Sequence, residues 1–355
     1  MHGADRHDEQ TKPAHSDGER SALRRLINRL EIDQATFYAL ALRGWQLVGG
    51  LVSILLISRF LSGELQGYYY TFHSLIGLQT FFELGVCTVV VNFTSHEWAQ
   101  LRLNDSGEMT GTPQALARLA SLARLLFRWY GIACLLFIVT IGPIGALFFK
   151  LQRGASDGVE WVSPWIAMTV LSGLAMWVLP FIAMLEGCNQ VATVNRFRLM
   201  LTMSSHALVW AGLICGLGLW VVVVAVAVRV AFECYLLGVR YRGLFRTLQT
   251  QPREQQVHWF AEIWPLQWRT GVQGIAAYFA SSVITPVMFH FHGPVTAGQM
   301  GMTWTLIFTL QSGALAWVQS RVPQFGVLVS RRDFAELNRV YRRLTALSLL
   351  AASAG

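Results

Sequence analysis

Apolar residues in this 355-residue chain come in long blocks, not in the two-residue alternation of a half-buried strand or the narrow stripe of a soluble helix. Eight blocks approach or exceed the roughly 20 residues that a helix needs to cross a bilayer core of about 30 Å. They lie near 37–57, 68–93, 129–149, 161–185, 199–215, 220–241, 263–289 and 296–320. Inside lipid each backbone amide must find its partner within its own helix, so the pattern predicts an all-α polytopic membrane protein. The apolar run from 199 to 241 is too long for one crossing, and Gly216-Leu217-Gly218 punctuates it as a tight hairpin. A ninth run opens near Leu344 and stops half-written at Gly355, which reads as truncation.

Between the blocks the pattern changes. Residues 1–18 are polar and are expected to be disordered. In ERSALRRLINRLEID, Leu23, Leu26, Ile27 and Leu30 recur at helical spacing, with Arg24, Arg25 and Arg29 on other faces. Such a helix lies on the inner leaflet. PQALARLASLARLLF has the same character through Leu116, Leu119, Leu122 and Leu126, and the same placement is expected for it.

Charge fixes the orientation. Only 14% of residues are charged, where a soluble chain has about a quarter. Of the 28 Lys and Arg, 22 fall on the side of the N-terminus, and three (Arg59, Lys150 and Arg153) fall on the other. The N-terminus is therefore expected to be cytoplasmic. The net charge of +8 then describes an arginine-rich inner face meeting anionic lipid, with no nucleic acid implied. Cys87, Cys134, Cys188, Cys215 and Cys234 lack metal-ligand spacing and read as small hydrophobes. The first apolar block is too long for a cleavable signal peptide. No phosphate loop, nucleophile elbow, carboxylate dyad or metal pattern occurs, so neither enzymatic chemistry nor a cofactor is expected.

Two stretches echo each other. GYYYTFHSLIGLQ (67–79) and GQMGMTWTLIFTLQ (298–311) both place Gly at the head of a block and a Ser/Thr-Leu-Ile triplet at the same distance behind it. HEWAQL and RDFAEL follow in the next loops. Arg43 and Arg269 each fall about six residues into the preceding block. An even number of blocks between the copies predicts two six-span lobes related by an axis along the membrane normal.

Three arginines and two glutamates lie inside blocks, where each costs about 2.5–3.5 kcal/mol on insertion scales without a partner, a wet cavity or an escape route. Arg229 sits deep, with Glu233 one turn on and on the same side. The pair is either a packing device or an ion-coupling gate. Arg43 and Arg269, about 9 Å inside the edge, either snorkel to lipid phosphates or meet across a cleft to hold a diphosphate by planar forks. Glu83, beside Gly85, is either a protonated packing residue or an ion-coupling site. His206 reads as packed or interfacial, and His290 and His292 lie at the outer edge. Pro180, Pro265 and Pro286 are positions at which helices can bend.

RFLSGELQGYYYTFHSLIGLQTFFELG (59–85), WPLQWRTGVQGIAAYF (264–279), AGQMGMT (297–303) and VPQFGVLVSRRDFAEL (322–337) resemble bacterial polysaccharide-export flippases. Those proteins belong to the multidrug/oligosaccharidyl-lipid/polysaccharide (MOP) exporter superfamily. The resemblance implies two helical bundles around a central cavity, with a tail at 1–34, a first lobe at 35–241, a connector at 242–262 and the start of a second lobe at 263–355. It further implies a bacterial inner-membrane flippase that moves polyprenyl-diphosphate-linked oligosaccharide by alternating access, beside membrane lipids and polysaccharide-assembly proteins, with H+ or Na+ as coupling ion. A drug/cation antiporter of the same superfamily is the alternative. A membrane glycan polymerase or ligase fits less well, for want of a large outer loop.

Overall fold

A computed structural model describes residues 34–104, 107–152, 158–251, 257, 259–330 and 334–353. The amphipathic segment expected at 19–33 lies outside the described residues. In order the chain forms α1 (Gln34–Phe60), α2 (Gly63–Ile76), α3 (Val86–Trp98), a hairpin of β1 (Leu101–Leu103) and β2 (Met109–Gly111), α4 (Pro113–Lys150), α5 (Val162–Gly187) and α6 (Val191–Ile214). There follow α7 (Trp220–Tyr235), α8 (Arg242–Thr250), α9 (Trp264–Ser281), α10 (Ile284–Ser330) and α11 (Phe334–Ser353).

Six stretches are long and apolar enough to cross a membrane, and Gly63–Glu83 with Val86–Trp98 makes a seventh, bent by 46°. One of the six, Trp259–Ser312, reverses at Gly293, whose φ of 84° is open to glycine. Its first leg passes Gly85 with Thr270, Gly77 with Tyr278, Ser74 with Ser282 and Tyr68 with Phe289, antiparallel to α2. The second leg returns past Gly67 with Gly298 and Tyr70 with Gly301. Among the described residues this makes six candidate crossings, or seven with the bent pair, in an all-α multi-pass membrane protein.

The faces of α4 show why lipid is the solvent. Tyr130, Cys134, Phe137, Ile141 and Phe149 are buried at helical spacing, while Ile132, Leu135, Leu136, Val139, Ile144 and Leu147 stand exposed. In water such an exposed face would be an aggregation site; against acyl chains it costs nothing. Inside, Tyr68, Phe72, Phe149, Trp165 and Phe289 interlock with ring centroids 5.0–6.3 Å apart. The Trp165 indole donates to the Gly142 carbonyl (2.9 Å) and lies where Gly145 has no side chain.

Three expectations change. The segment 113–127 is not a separate surface helix but the first part of the 38-residue α4. Leu119, Leu122 and Leu126 are 0% exposed, packed in one cluster with Leu244 and Leu248 of α8. Amphipathic spacing reports an apolar partner without saying whether it is lipid or protein. The second block is not one helix: a 3-10 turn (Gly77–Gln79) and a short turn (Thr80–Glu83) end in Leu84 and Gly85, both left-handed at φ 47° and 67°. Pro265 stands at the start of α9, where it bends nothing, whereas Pro180 lies inside α5.

Candidate binding cavity and buried ion cluster

α1 and α6 run parallel and close over the half near the α1 C-terminus. Gly49 admits the His206 ring, which stacks on Trp210 (5.7 Å, 1°) and tilts against Trp45. The Trp210 indole donates to Ser53 Oγ at 2.9 Å. His206 is thus a packing residue of this seam. Toward the other end, where Asn195 Nδ2 still donates to the Ala35 carbonyl at 3.4 Å, a cavity of about 780 Å³ opens between α1, α6 and the returning leg of α10. That volume falls within the ~300–1,000 Å³ typical of ligand sites.

Its wall has a distinct chemistry. Arg43 and Arg198 supply charge; Gln46, Asn195, Thr305, Thr309, Gln311 and Ser312 supply uncharged donors and acceptors; Phe308, stacked on Trp304, supplies an aromatic face. Among the described residues no carboxylate lines it.

Beyond the far end of this space the molecule is shut by backbone contact. A Cβ on Gly67 would overlap the Pro294 carbonyl, and one on Gly301 would overlap Tyr70. Gly298 meets the Gly67 backbone, and Gly63 meets Val295. The Gly-x-x-x-Gly spacing of Gly63 and Gly67 is what lets membrane helices approach this closely.

Beside the cavity, ionisable groups gather inside the first bundle. Arg229 Nε donates to Glu233 Oε1 at 2.9 Å, and Arg198 pairs with Glu186. The charge of Arg229 also acts on Glu83, and that of Arg198 on Glu233. Cys87 sits in the field of Glu83, Glu186, Arg198 and Arg229 together. Among the described residues three carboxylates therefore lie with two guanidiniums. Glu83 Oε1 and Glu233 Oε2 are buried and bond to no described residue.

The break in the second crossing positions Glu83. A left-handed Leu84 is costly for a residue with a Cβ, and such strain persists only where surroundings hold it. Here they do. The Tyr130 hydroxyl donates to the Glu83 carbonyl (3.3 Å), and the Thr270 hydroxyl lies 3.3 Å from the Gly85 carbonyl while also reaching Gln267 O at 2.9 Å. Gly271 lets α9 approach Leu84 directly.

The sequence candidates thus separate. Arg43 lines the cavity; Arg229, Glu233 and Glu83 form the ion cluster. Arg269 joins neither. It is exposed on α9 with its guanidinium 5.7 Å from the Trp268 ring, so the two arginines do not meet across the cavity. His290 lies by Gln152 at the sealed end.

Arg198 is the residue that sequence reasoning missed. It lines the large cavity and also a second space of about 30 Å³ that contains Glu233, which makes it the wall between the two. Its signal was its place eight residues into a helix: a loop arginine in charge counting, an interior one once α6 begins at Val191. No protein-family model, curated protein or solved structure matches the chain.

Proposed function

We propose that the protein is an alternating-access exporter of an anionic, hydroxyl-rich substrate, of the lipid-diphosphate-linked oligosaccharide class, and that it performs no covalent chemistry. The observation that carries this reading is the cavity wall, which among the described residues holds two guanidiniums, six uncharged hydrogen-bonding side chains, one aromatic face and no carboxylate. Guanidinium forks suit phosphate oxygens, and amide and hydroxyl groups suit sugar hydroxyls. A cation-drug antiporter would want acidic residues in the same wall.

Contacts of the two echoing segments support a two-lobe arrangement. Gly67 meets Gly298 and Tyr70 meets Gly301, and each pair holds equivalent positions of the two copies. Equivalent residues touch when they lie beside a two-fold axis. In this reading the wide end faces the cytoplasm of a bacterial cell, and the glycine contact is the closed outer gate.

The ion cluster supplies coupling. One carboxylate more than guanidiniums, in a low-dielectric interior, favours uptake of one positive charge. In this reading the coupling ion is a proton or a sodium ion. Arg198, shared by cavity and cluster, is the residue through which substrate charge and bound cation sense each other.

The test is translocation of fluorescent polyprenyl-diphosphate-linked oligosaccharide in proteoliposomes. Losing one charged hydrogen bond, about 1.5–3 kcal/mol, weakens substrate binding roughly ten- to a hundredfold in Arg43→Gln and Arg198→Gln. Arg269→Gln leaves it unchanged. Wild-type behaviour in both cavity variants, or preferred uptake of a cationic dye, defeats the reading.

A further inference from the structure

A second cavity, of about 270 Å³, lies on the opposite side of the bundle where α4, α5 and α8 meet. Its wall is aromatic inside and cationic at the rim. Phe127, Phe181 and Phe245 form the slot, and Arg124 and Arg128, one helical turn apart on α4, edge it. Among the described residues no carboxylate lines it.

Its depth in the membrane follows from helix length. A core of about 30 Å takes roughly 20 residues at 1.5 Å each. Counted back from Lys150, that span ends near Tyr130. Arg128 and Arg124 then stand in the first two turns beyond the hydrocarbon, at headgroup level, with Phe127 beside them. The exposed Trp129 is an interfacial anchor at the same level. Phe127 and Arg128 are exposed, so the slot opens sideways toward lipid.

We propose that this slot binds one anionic glycerophospholipid of the leaflet at the arginine-rich end. Its phosphodiester is held at Arg124 and Arg128, and the upper part of an acyl chain lies against the three phenylalanine rings. A free phosphate would satisfy the arginines and leave the rings bare. A zwitterionic lipid would bring its own cation to two guanidiniums. Only an anionic headgroup on an acyl chain matches both halves.

The position gives the lipid a consequence. α8 belongs to the connector between α7 and α9, and Arg124 donates to the carbonyl of Gln251, the residue that ends α8 (3.2 Å). A lipid bridging α4 and α8 fastens that connector to the first bundle. The proposal rests on the membrane reading alone and is independent of what the large cavity carries.

The experiment uses the purified full chain in detergent, with thermal unfolding and native mass spectrometry in the presence of dioleoyl phosphatidylglycerol, dioleoyl phosphatidylcholine or inorganic phosphate. Phosphatidylglycerol is expected to raise the unfolding temperature and remain bound, while the other two do neither. Arg128→Gln weakens the phosphatidylglycerol response roughly fivefold, as about one basic contact is lost, and Arg128→Lys keeps most of it. Arg128 is exposed, so these variants fold; Arg59→Gln, at the other end, is the control. Equal stabilisation by phosphatidylcholine, a full effect from phosphate alone, or an unchanged response in Arg128→Gln overturns the site.

Discussion

The two ends of the space bordered by α1, α2 and α10 are held by different physics. Near Gly67 the helices touch through backbone, and the contact depends on shape: side chains are absent where Pro294, Gly298 and Tyr70 come in. Near Arg43 and Arg198 the helices stand apart, and amides, hydroxyls and guanidiniums face the gap. The first arrangement excludes water and the second needs it. The proposed transport cycle would exchange the two, because a contact made of small residues loses little when it opens, and a polar wall remains wet or occupied whichever way it faces. The buried ion cluster extends the charge-held region into the bundle, and its integrity rests on neutralisation rather than fit.

The largest effect is expected where that neutralisation is broken. Arg229→Met leaves Glu233 without its 2.9 Å partner. Removing one member of a buried pair typically costs about 3–5 kcal/mol; with the guanidinium 37% exposed, the low end, about 3 kcal/mol, is expected in detergent unfolding. The double variant Arg229→Met/Glu233→Met should be more stable than the single one, by at least ~1 kcal/mol of coupling. Simple additivity would mean that the two side chains do not neutralise each other, and the charge-held half of the comparison would fail.

A smaller cost and a different signature are expected at the shape-held end. Gly67→Leu places a side chain against the Pro294 carbonyl. Overpacking of this kind costs about 1–3 kcal/mol, relieved if α2 and α10 separate. Its diagnostic is access: a cysteine introduced at Thr309, in the cavity wall, should change its labelling by an impermeant thiol reagent relative to the same cysteine beside Gly67. Gly67→Ala should be intermediate. Identical labelling in all three would show that the glycine contact does not govern which end is open.

How much of this was legible in the sequence follows the same division. Block length gave the long apolar helices, and the turn spacing of Arg229 and Glu233 gave their pair, because both are properties of a single helix. Glu83 was visible as a charge in an apolar run. The break that positions it was visible only as Gly85, since nothing in the sequence announces a left-handed Leu84. The cavity wall was illegible: Gln46, Asn195, Thr305 and Thr309 are ordinary residues of three helices far apart in sequence, and only their convergence gives them chemistry. Arg43 and Arg269 looked equivalent at the same depth, but only Arg43 has α6 and α10 beside it. The leucines of 113–127 showed their amphipathic period plainly, yet not that α8 would cover them.

The smallest expected effect lies at the junction between the regions, where the broken crossing is patched from two sides. Tyr130 on α4 and Thr270 on α9 reach the Glu83 and Gly85 carbonyls on either side of Leu84. Tyr130→Phe removes one neutral hydrogen bond, a net loss of about 1 kcal/mol, and leaves a buried carbonyl without its donor. Thr270→Val should cost less, because its hydroxyl also has a closer acceptor at Gln267 O, 2.9 Å away within its own helix. The informative measurement is hydrogen exchange of the amides of residues 84–88 in each variant. Faster exchange after Tyr130→Phe with little change after Thr270→Val would mean that the break belongs to the first bundle, so that Glu83 keeps its place while α9 moves. The reverse order would tie Glu83 to α9, and the ion cluster would then be set by the contact between the two halves of the chain.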